Sequence, residues 1–270
     1  MNLDVIAALA LVMVLTPAGL GLWRLLAGRA HGPGRRVVRL GVALVVAVVL
    51  VGFGAYALMN ARSFQLLGRQ VAQVTTDQKV VALTFDDGPA GEYVDAVLVD
   101  LQRYQARGTF FVVGAAAREN GSALRALVAA GHEIGNHSFT HPRLVFVSTA
   151  TVAREVESTD TVIRSAGFRD PILFRPPYGK RLLSAPYYLW RHGRTTAMWS
   201  VEPDSRAAIA GDPQAMAKYV ADTVRPGAIV LLHVWSAGSS ASRAALPLIL
   251  EALTEKGYRF VTVTELLNGA

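Results

Sequence analysis

The sequence predicts an α/β domain of parallel strands, preceded by an N-terminal hairpin of two membrane-spanning helices. The first 60 residues contain two long apolar runs separated by an arginine-rich loop. Beyond residue 78, seven short apolar runs alternate with stretches that fit amphipathic helices. This strict alternation indicates parallel strands joined by helices, in either a closed barrel or an open sheet.

The two N-terminal apolar runs are 5–23 and 40–59, and neither contains a charged residue. Each is long enough to cross a hydrocarbon core of ~30 Å at ~1.5 Å per residue. The loop 24–39 holds five arginines, so the positive-inside tendency predicts a cytoplasmic loop, with the N-terminus and everything beyond residue 60 outside the membrane. A cleaved signal peptide is the alternative for the first run, but residues 1–4 lack the basic residues that such a peptide needs.

We therefore predict a membrane anchor at 1–60, a short stem at 61–78 and a catalytic domain at 79–270. The net charge of +7 belongs almost entirely to the front of the chain, because residues 1–75 contain seven arginines and one aspartate. The rest is nearly neutral, which argues against a nucleic-acid-binding surface. The chain has no cysteine, which excludes disulfides, thiolate metal sites and cysteine nucleophiles.

The expected elements of the domain follow the apolar runs and the helical patterns. The predicted strands are 80–85, 109–113, 132–136, 172–175, 195–200, 228–233 and 259–263. The predicted helices are 92–106, 122–130, 149–166, 182–192, 213–224 and 241–256. A glycine follows each helix, as expected for a helix C-cap, at Gly108, Gly131, Gly167, Gly193, Gly227 and Gly257.

Polar side chains fall at or just beyond the C-terminal ends of five of these strands. They are Asp86, Asp87, His137, Arg175, Glu202 and His233. An isolated Asp-Asp pair is more often a strand-terminal turn than a site. The carboxyl ends of parallel strands meet at one edge, however, so the whole set predicts a single functional rim.

A candidate metal site combines a strand-end aspartate with two histidines. His137 and His141 are four residues apart, and Pro142 favours a loop over a helix around them. Alone, such a pair is more often incidental. Together with an aspartate it supplies two nitrogens and one oxygen, which suits zinc or another divalent first-row ion and leaves positions open for water and substrate.

Two further strand ends offer catalytic groups. Arg175 begins the segment Arg-Pro-Pro-Tyr-Gly, whose two prolines fix the backbone so that the Tyr178 N–H can point at a reacting oxygen. His233 ends an apolar strand. A lone histidine there is more often part of the core, but beside a metal site it becomes a candidate general acid.

Four segments in this order and spacing, TFDDGP, HSFTH, RPPYG and IVLLH, carry a specific resemblance. From about residue 76 to 270 the chain resembles the polysaccharide deacetylases, the NodB-like domains of carbohydrate esterase family 4. The resemblance implies a distorted (β/α)7-type parallel barrel. It also implies a metal-dependent enzyme that hydrolyses N-acetyl groups.

The resemblance also implies roles for individual residues. Asp86 matches the catalytic base, His233 the acid, and Arg175 the arginine that pairs with the base. The metal ligands would be Asp87, His137 and His141. Tyr178 would supply an oxyanion-binding N–H, and Pro177 and Leu231 would line the substrate pocket.

One segment departs from the family pattern. The usual Asp-x-x-Asp-Trp reads Glu202-Pro-Asp-Ser-Arg206 here, so an acid is kept at the first position but the final Asp-Trp is missing. Trp199 or Trp235 would have to replace the absent tryptophan. The residue after His233 is Val234, where the family often has an aspartate.

The sequence thus predicts a membrane-anchored deacetylase that binds zinc, with cobalt or another first-row ion as alternatives. The expected partners are an acetylated polysaccharide containing GlcNAc or MurNAc, foremost peptidoglycan, and membrane lipid. No nucleic-acid or protein partner is predicted. The alternatives are an O-acetyl esterase, a glycan-binding module that has lost catalysis and, least supported, a structural membrane protein.

Overall fold

The computed structural model describes residues 33–269 of the chain. It contains two compact units, one ending at Ala61 and one comprising Arg62–Ala270.

The first unit contains a single described helix, α1, at Pro33–Asn60. Its segment Arg39–Asn60 has a mean hydropathy of 2.6, and none of its most apolar stretch is buried within the protein. At ~1.5 Å per residue it extends ~33 Å, enough to cross a membrane. Among residues 33–269 it is the one helix that meets this condition. The predicted second span is therefore a helix of spanning length, whereas the predicted first span, 5–23, lies outside the described residues.

The last seven residues of the predicted loop 24–39 are helical, because α1 already begins at Pro33; the cytoplasmic position of that loop stays a prediction. Proline is favoured in the first turn of a helix, and arginine has a high helix propensity. The arginine-rich sequence therefore extends the helix. The second span and its orientation remain predictions.

The second unit alternates strands and helices. Its strands are β1 (Gln70–Val71), β2 (Val80–Asp86), β3 (Gly108–Val112), β4 (Glu133–Asn136), β5 (Thr196–Ala197), β6 (Ala228–Leu232) and β7 (Arg259–Phe260). Its helices are α2 (Gly91–Arg103), α3 (Gly114–Glu119), α4 (Gly121–Ala129), α5 (Thr149–Ser165), α6 (Ser184–Arg191), α7 (Pro213–Thr223), α8 (Ser240–Glu255) and α9 (Val263–Leu267). Two 3₁₀ turns lie at Pro177–Gly179 and Ala237–Ser239.

The paired strands are parallel, as predicted. The strand order is β4-β3-β2-β6, β7 pairs with the first residues of β2, and β1 pairs with β5. Single parallel bridges complete the circuit: Phe174 links Asn136 to Thr196, and Val201 pairs with Val230. The sheet thus closes into an irregular barrel, which settles the choice between barrel and open sheet.

Alternation along the strands separates the barrel interior from the layer under the helices. On β2, Val80 and Ala82 belong to the same apolar cluster as Leu231, inside the barrel. Val81 and Phe85 belong to the larger cluster that packs beneath the helices. Because side chains alternate, Asp86 faces the barrel interior at the end of β2.

Two predicted strands close to Arg175 are much shorter than expected. Predicted strand 172–175 is reduced to bridges at Phe174, since Pro171 and Pro176 cannot donate to a ladder. Predicted strand 195–200 is only Thr196–Ala197. The carbonyls of Ala197 and Met198 accept hydrogen bonds from the Arg175 side chain, at 3.0 Å each.

The predicted last strand, 259–263, ends early because a helix begins. Thr262 accepts from the Glu265 N–H, and the Glu265 carboxylate accepts from the Thr262 N–H at 2.9 Å. This capping box starts α9, which the sequence analysis did not predict; α3 and β1 were also missed.

Four of the six predicted helix-capping glycines occupy that role. Gly131, Gly167, Gly193 and Gly257 directly follow helix C-caps with positive φ. The other two predictions are wrong. Gly108 is the first residue of β3, where the Cβ of any other residue would lie only 2.9 Å from the Phe85 ring. Gly227 lies beyond the C-cap of α7, where the Cβ of any other residue would lie 1.9 Å from the Val74 carbonyl oxygen.

Candidate active site

The predicted rim exists at the C-terminal end of the barrel. β2 ends in Asp86, with Asp87 next, β4 leads directly into His137, and β6 leads into His233. Arg175 follows the Phe174 bridge between β4 and β5. The fold therefore brings together groups that are up to 147 positions apart in the chain.

Asp87, His137 and His141 form the candidate metal centre. One ligand atom from each lies within 4.8 Å of the others. The Asp87 Oδ1 is 3.5 Å from His137 Nε2 and 3.2 Å from His141 Nε2. Burial raises the pKa of Asp87, but hydrogen bonds and charge from the two histidines outweigh burial and hold that pKa far below its usual range.

The backbone and its partners orient the two imidazoles. His137 Nδ1 lies 2.8 Å from the Arg175 carbonyl oxygen and donates to it, which directs Nε2 toward the cluster. His141 lies in a loop, as predicted, and its N–H donates to Ser138 Oγ. Glu155 fixes that loop by accepting from the N–H groups of Phe139 and Thr140 at 2.8 Å.

Asp86 and Arg175 form a buried ion pair beside the cluster. Arg175 donates from one terminal nitrogen to Asp86 Oδ1 at 2.6 Å and to Thr84 Oγ1 at 2.8 Å. Its guanidinium lies 4.0 Å from the centre of the Phe111 ring. Burial lowers the pKa of Arg175, but the Asp86 charge and hydrogen bond oppose this. Because the other Asp86 oxygen is 3.6 Å from His137 Nε2, this carboxylate faces the cluster.

His233 is paired with Asp204, a residue that the sequence analysis did not select. Asp204 Oδ2 accepts from the His233 N–H at 2.6 Å and lies 3.2 Å from its Nδ1. Burial lowers the pKa of His233, but this hydrogen bond and the charges of Asp204, Asp86 and Asp87 raise it to about 9. A protonated His233 therefore faces the two aspartates that end β2.

The segment after Arg175 turns sharply at Tyr178, whose φ is 56°. Among the described residues, the Tyr178 N–H has no hydrogen-bond acceptor. Its ring lies 4.6 Å from that of His141, so the Tyr178 side chain packs beside the candidate metal centre. Pro177, before it, is buried within the turn.

The two candidate tryptophans occupy different layers. Trp199 belongs to the barrel-interior cluster with Leu231. Its ring also closes on Gly179, where a Cβ would lie 3.0 Å from it. Trp235 belongs to the layer under the helices, against Phe110 and beneath Gly88. Trp199 is therefore the better candidate for the absent pocket tryptophan.

Comparison with known proteins agrees with this geometry. Residues 73–197 match the family model described as polysaccharide deacetylase. A peptidoglycan-N-acetylglucosamine deacetylase of Bacillus cereus is 34% identical over 202 residues, 73% of this chain and 92% of the relative. The chain belongs to the polysaccharide deacetylase family.

Other family members extend the comparison. The peptidoglycan-N-acetylmuramic acid deacetylase PdaC of Bacillus subtilis is 30% identical over 72% of this chain, which spans only 40% of that relative. The crystal structure of the peptidoglycan N-acetylglucosamine deacetylase Bc1960 superimposes with a TM-score of 0.69 at 26% identity, covering 74% of this chain and 94% of that one. A family pseudoenzyme from Bacillus anthracis gives a TM-score of 0.67 at 28% identity, covering 75% and 70%.

The segment 202–206, which departs from the family pattern, places its two acids on different partners. Glu202 accepts from Trp199 Nε1 at 2.7 Å and from Arg62 at 2.9 Å, whereas Asp204 contacts His233. Arg206 stands at the family's tryptophan position and lies over the Tyr219 ring. A carboxylate does lie beside His233, but it belongs to Asp204 and not to Glu202. Glu202 could have been distinguished from Asp204 only by knowing the path of the segment.

Proposed function

We propose that the chain is a metal-dependent hydrolase that removes N-acetyl groups from a GlcNAc- or MurNAc-containing polysaccharide outside the membrane. The observation that carries the proposal is the arrangement around one cluster. Asp87, His137 and His141 form the cluster. Asp86 lies beside it and is paired with Arg175. His233 is protonated, and the Asp204 carboxylate stabilises its positive charge.

The three cluster residues fit a divalent ion. They offer one carboxylate oxygen and two imidazole nitrogens, a donor set that suits zinc or cobalt. The His137 ring is already in the required tautomer, because its Nδ1–H is engaged by the Arg175 carbonyl. A bound divalent ion would supply a Lewis acid for the acetyl carbonyl and lower the pKa of a water molecule.

The residues around the cluster divide the proton transfers. Asp86 accepts a proton from the attacking water as the water oxygen forms its bond to the acetyl carbon. The Tyr178 N–H donates to the oxyanion that develops on the carbonyl oxygen. His233 delivers its proton to the sugar nitrogen as the C–N bond breaks, which releases acetate and the free amine. Arg175 holds the Asp86 carboxylate in place through their hydrogen-bonded ion pair.

Peptidoglycan is the polymer that we favour. Relatives named as peptidoglycan deacetylases match over about 70% of the chain. The helix Arg39–Asn60 would hold the domain at the membrane, near a cell wall. O-acetyl ester hydrolysis is the second candidate, because the same site would accept the more easily hydrolysed ester. A relative named as a bifunctional xylanase/deacetylase, from Pseudobutyrivibrio xylanivorans, is 31% identical over 82% of this chain, which spans 34% of that relative.

The test uses the full chain in detergent, stripped of metal and then supplied with zinc, cobalt or no ion. Acetate release would be measured from N-acetylated chitooligosaccharides, peptidoglycan and O-acetylated xylan. Metal-dependent release from the first two supports the proposal. Release from xylan alone favours the esterase. Metal binding without release from any substrate would overturn the catalytic proposal and favour a glycan-binding module.

A further inference from the structure

An exposed apolar surface lies on the second unit, on the stem and on α6. It is formed by six side chains that are 37–61% exposed, which we call the apolar face: Phe64, Leu66, Leu67, Leu183, Tyr187 and Trp190. Scattered exposed apolar residues are normal, but a contiguous group marks an interaction surface. The kind of partner that this face would bind depends on whether the six side chains are contiguous and on the charges around them.

Two chain segments bring the apolar face together. Leu183, Tyr187 and Trp190 follow an i, i+4, i+7 spacing along α6 and its N-terminal cap, so they share one side of the helix. The stem backbone touches that helix, because a Cβ at Gly68 would lie 3.3 Å from Trp190 Cβ. The buried Arg181 donates to the Phe64 carbonyl at 3.1 Å and so attaches the stem beside the start of α6.

The two segments carry only positive charge. Residues 60–76 and 179–201 contain no aspartate or glutamate. Arg69 and Arg191 are exposed at the ends of the stem segment and of α6. Tyrosine and tryptophan beside exposed arginines are typical of surfaces that lie at the headgroup level of a bilayer. Cationic side chains there are attracted to anionic lipid.

The length of the chain between α1 and the apolar face limits their separation. α1 ends at Asn60, and Phe64 is four residues further on. Four residues reach at most ~14 Å even when fully extended. Phe64 therefore stays within reach of whichever membrane surface the end of α1 occupies. A glycan strand or a second protein copy has no such constraint holding it near this face.

We propose that the apolar face docks on the anionic headgroup region of the bilayer, with Tyr187 and Trp190 at the interface and Arg69 and Arg191 on lipid phosphates. The inference rests on the membrane anchor proposed above. The domain would then lie against the membrane on a second contact and not turn freely on its stem.

The absence of cysteine allows a direct test with single labels on the full chain. Tyr187→Cys places an environment-sensitive fluorophore on the apolar face. Val99→Cys, an exposed position on α2, is the matched control, and Val45→Cys within α1 reports insertion. The labelled proteins are reconstituted in vesicles of phosphatidylglycerol and phosphatidylcholine, with or without doxyl-labelled lipid as quencher, and compared with vesicles of phosphatidylcholine alone.

We expect doxyl lipid to quench the labels at 45 and 187 but not the label at 99, with less quenching at 187 in phosphatidylcholine alone. Quenching at 45 with none at 187 would overturn the docking proposal and leave the anchor intact. Quenching at 187 that appears only with added chitooligosaccharide, or a 187 label that self-quenches between copies, would assign the face to glycan or to a dimer. If doxyl lipid does not quench the label at position 45, both the membrane anchor and the docking proposal are refuted.

Acetate release from soluble chitooligosaccharide separates this proposal from the proposed activity. The Tyr187→Cys protein should retain that release, since Tyr187 lies outside the candidate active site. Retained release without quenching at 187 would refute docking alone. Loss of release in the unlabelled parent protein would refute the deacetylase assignment, whatever the labels show.

Discussion

Replacing Asp204 with asparagine removes the carboxylate that supports a positive charge on His233. Burial alone lowers the His233 pKa, and the Asp204 hydrogen bond is the largest effect that raises it, from 6.5 to about 9. In Asp204→Asn the amide keeps the size of the side chain but not its charge. We therefore expect the His233 pKa to return to 6.5 or below.

The size of the effect follows from the protonated fraction. At pH 8, a histidine of pKa about 9 is ~90% protonated and one of pKa 6.5 is ~3% protonated, a difference of ~30-fold. If His233 is the general acid, kcat/KM for acetate release should fall by about this factor at pH 8. The alkaline limb of the pH profile should move from about pH 9 to pH 6.5 or below.

The assay is acetate release from chitooligosaccharide by the metal-loaded protein between pH 5.5 and 10. Glu202→Gln is the matched control, because it removes a neighbouring acid that contacts Trp199 and Arg62. An alkaline limb that stays near pH 9 in Asp204→Asn would refute the reasoning. So would a limb that shifts in Glu202→Gln, since that result would assign the supporting role to Glu202.

The same pair gives a stability signature with a definite sign. Because folding raises the His233 pKa, the pair stabilises the fold fully below pH 6.5, and this contribution is lost as the pH rises through about 9. The parent protein should lose unfolding free energy across that window. The asparagine variant should show a flatter profile by urea denaturation.

Three further predictions concern the metal centre, the buried arginine and one tight turn. Asp87→Ala should lose zinc in dialysis measured by metal analysis, whereas Asp86→Asn should keep zinc and lose at least ~10²-fold in kcat; zinc loss in the second variant would make Asp86 a ligand. Arg175→Met should destabilise the fold by about 3–5 kcal/mol in urea, because it leaves the buried Asp86 carboxylate without its charged partner; an unchanged midpoint would contradict this. Gly227→Ala should lower stability by at least about 2 kcal/mol, since φ is +78° and a Cβ meets a carbonyl oxygen at 1.9 Å. Gly193→Ala, with positive φ but open space, should lose only about 1 kcal/mol, and equal losses would refute the clash.

Strand ends can be recognised from apolar runs, which allowed the sequence to predict the polar groups that meet at the rim. β2 and β6 are fully buried and their sequences are nearly continuous apolar runs, so the polar residues at their ends are conspicuous. β4 is also buried, but its sequence, Glu-Ile-Gly-Asn, is not an apolar run. Parallel alternation then places these residues at one edge without further information. The metal cluster and the Asp86–Arg175 pair were predictable for this reason.

The fine geometry was not predictable because the backbone near the site is irregular. Asp87, Ser138, His141 and Tyr178 all have positive φ, a conformation that side chains with a Cβ adopt rarely. Such positions depend on surrounding contacts that a sequence pattern does not reveal. The position of Asp204 is a related case, since it depends on the course of an irregular segment between Val201 and the start of α7.

The short strands around Phe174 and β5 show a competition that periodicity cannot detect. Apolar content predicted two ordinary strands there. Carbonyl groups of the second strand are instead hydrogen-bonded to the buried guanidinium of Arg175. A charged group inside a protein requires hydrogen-bond acceptors, so these backbone carbonyls bind the Arg175 side chain and not a neighbouring strand.

Arg175 serves two functional groups from opposite ends of a single residue. Its guanidinium holds the Asp86 carboxylate, while its carbonyl oxygen sets the His137 ring. The separation between that carboxylate and that imidazole is therefore limited by the covalent length of one amino acid. If Asp86 is the base and His137 a metal ligand, a mutation that shifts Arg175 should disturb proton abstraction and ion binding at once, so the two properties could not be tuned separately through it.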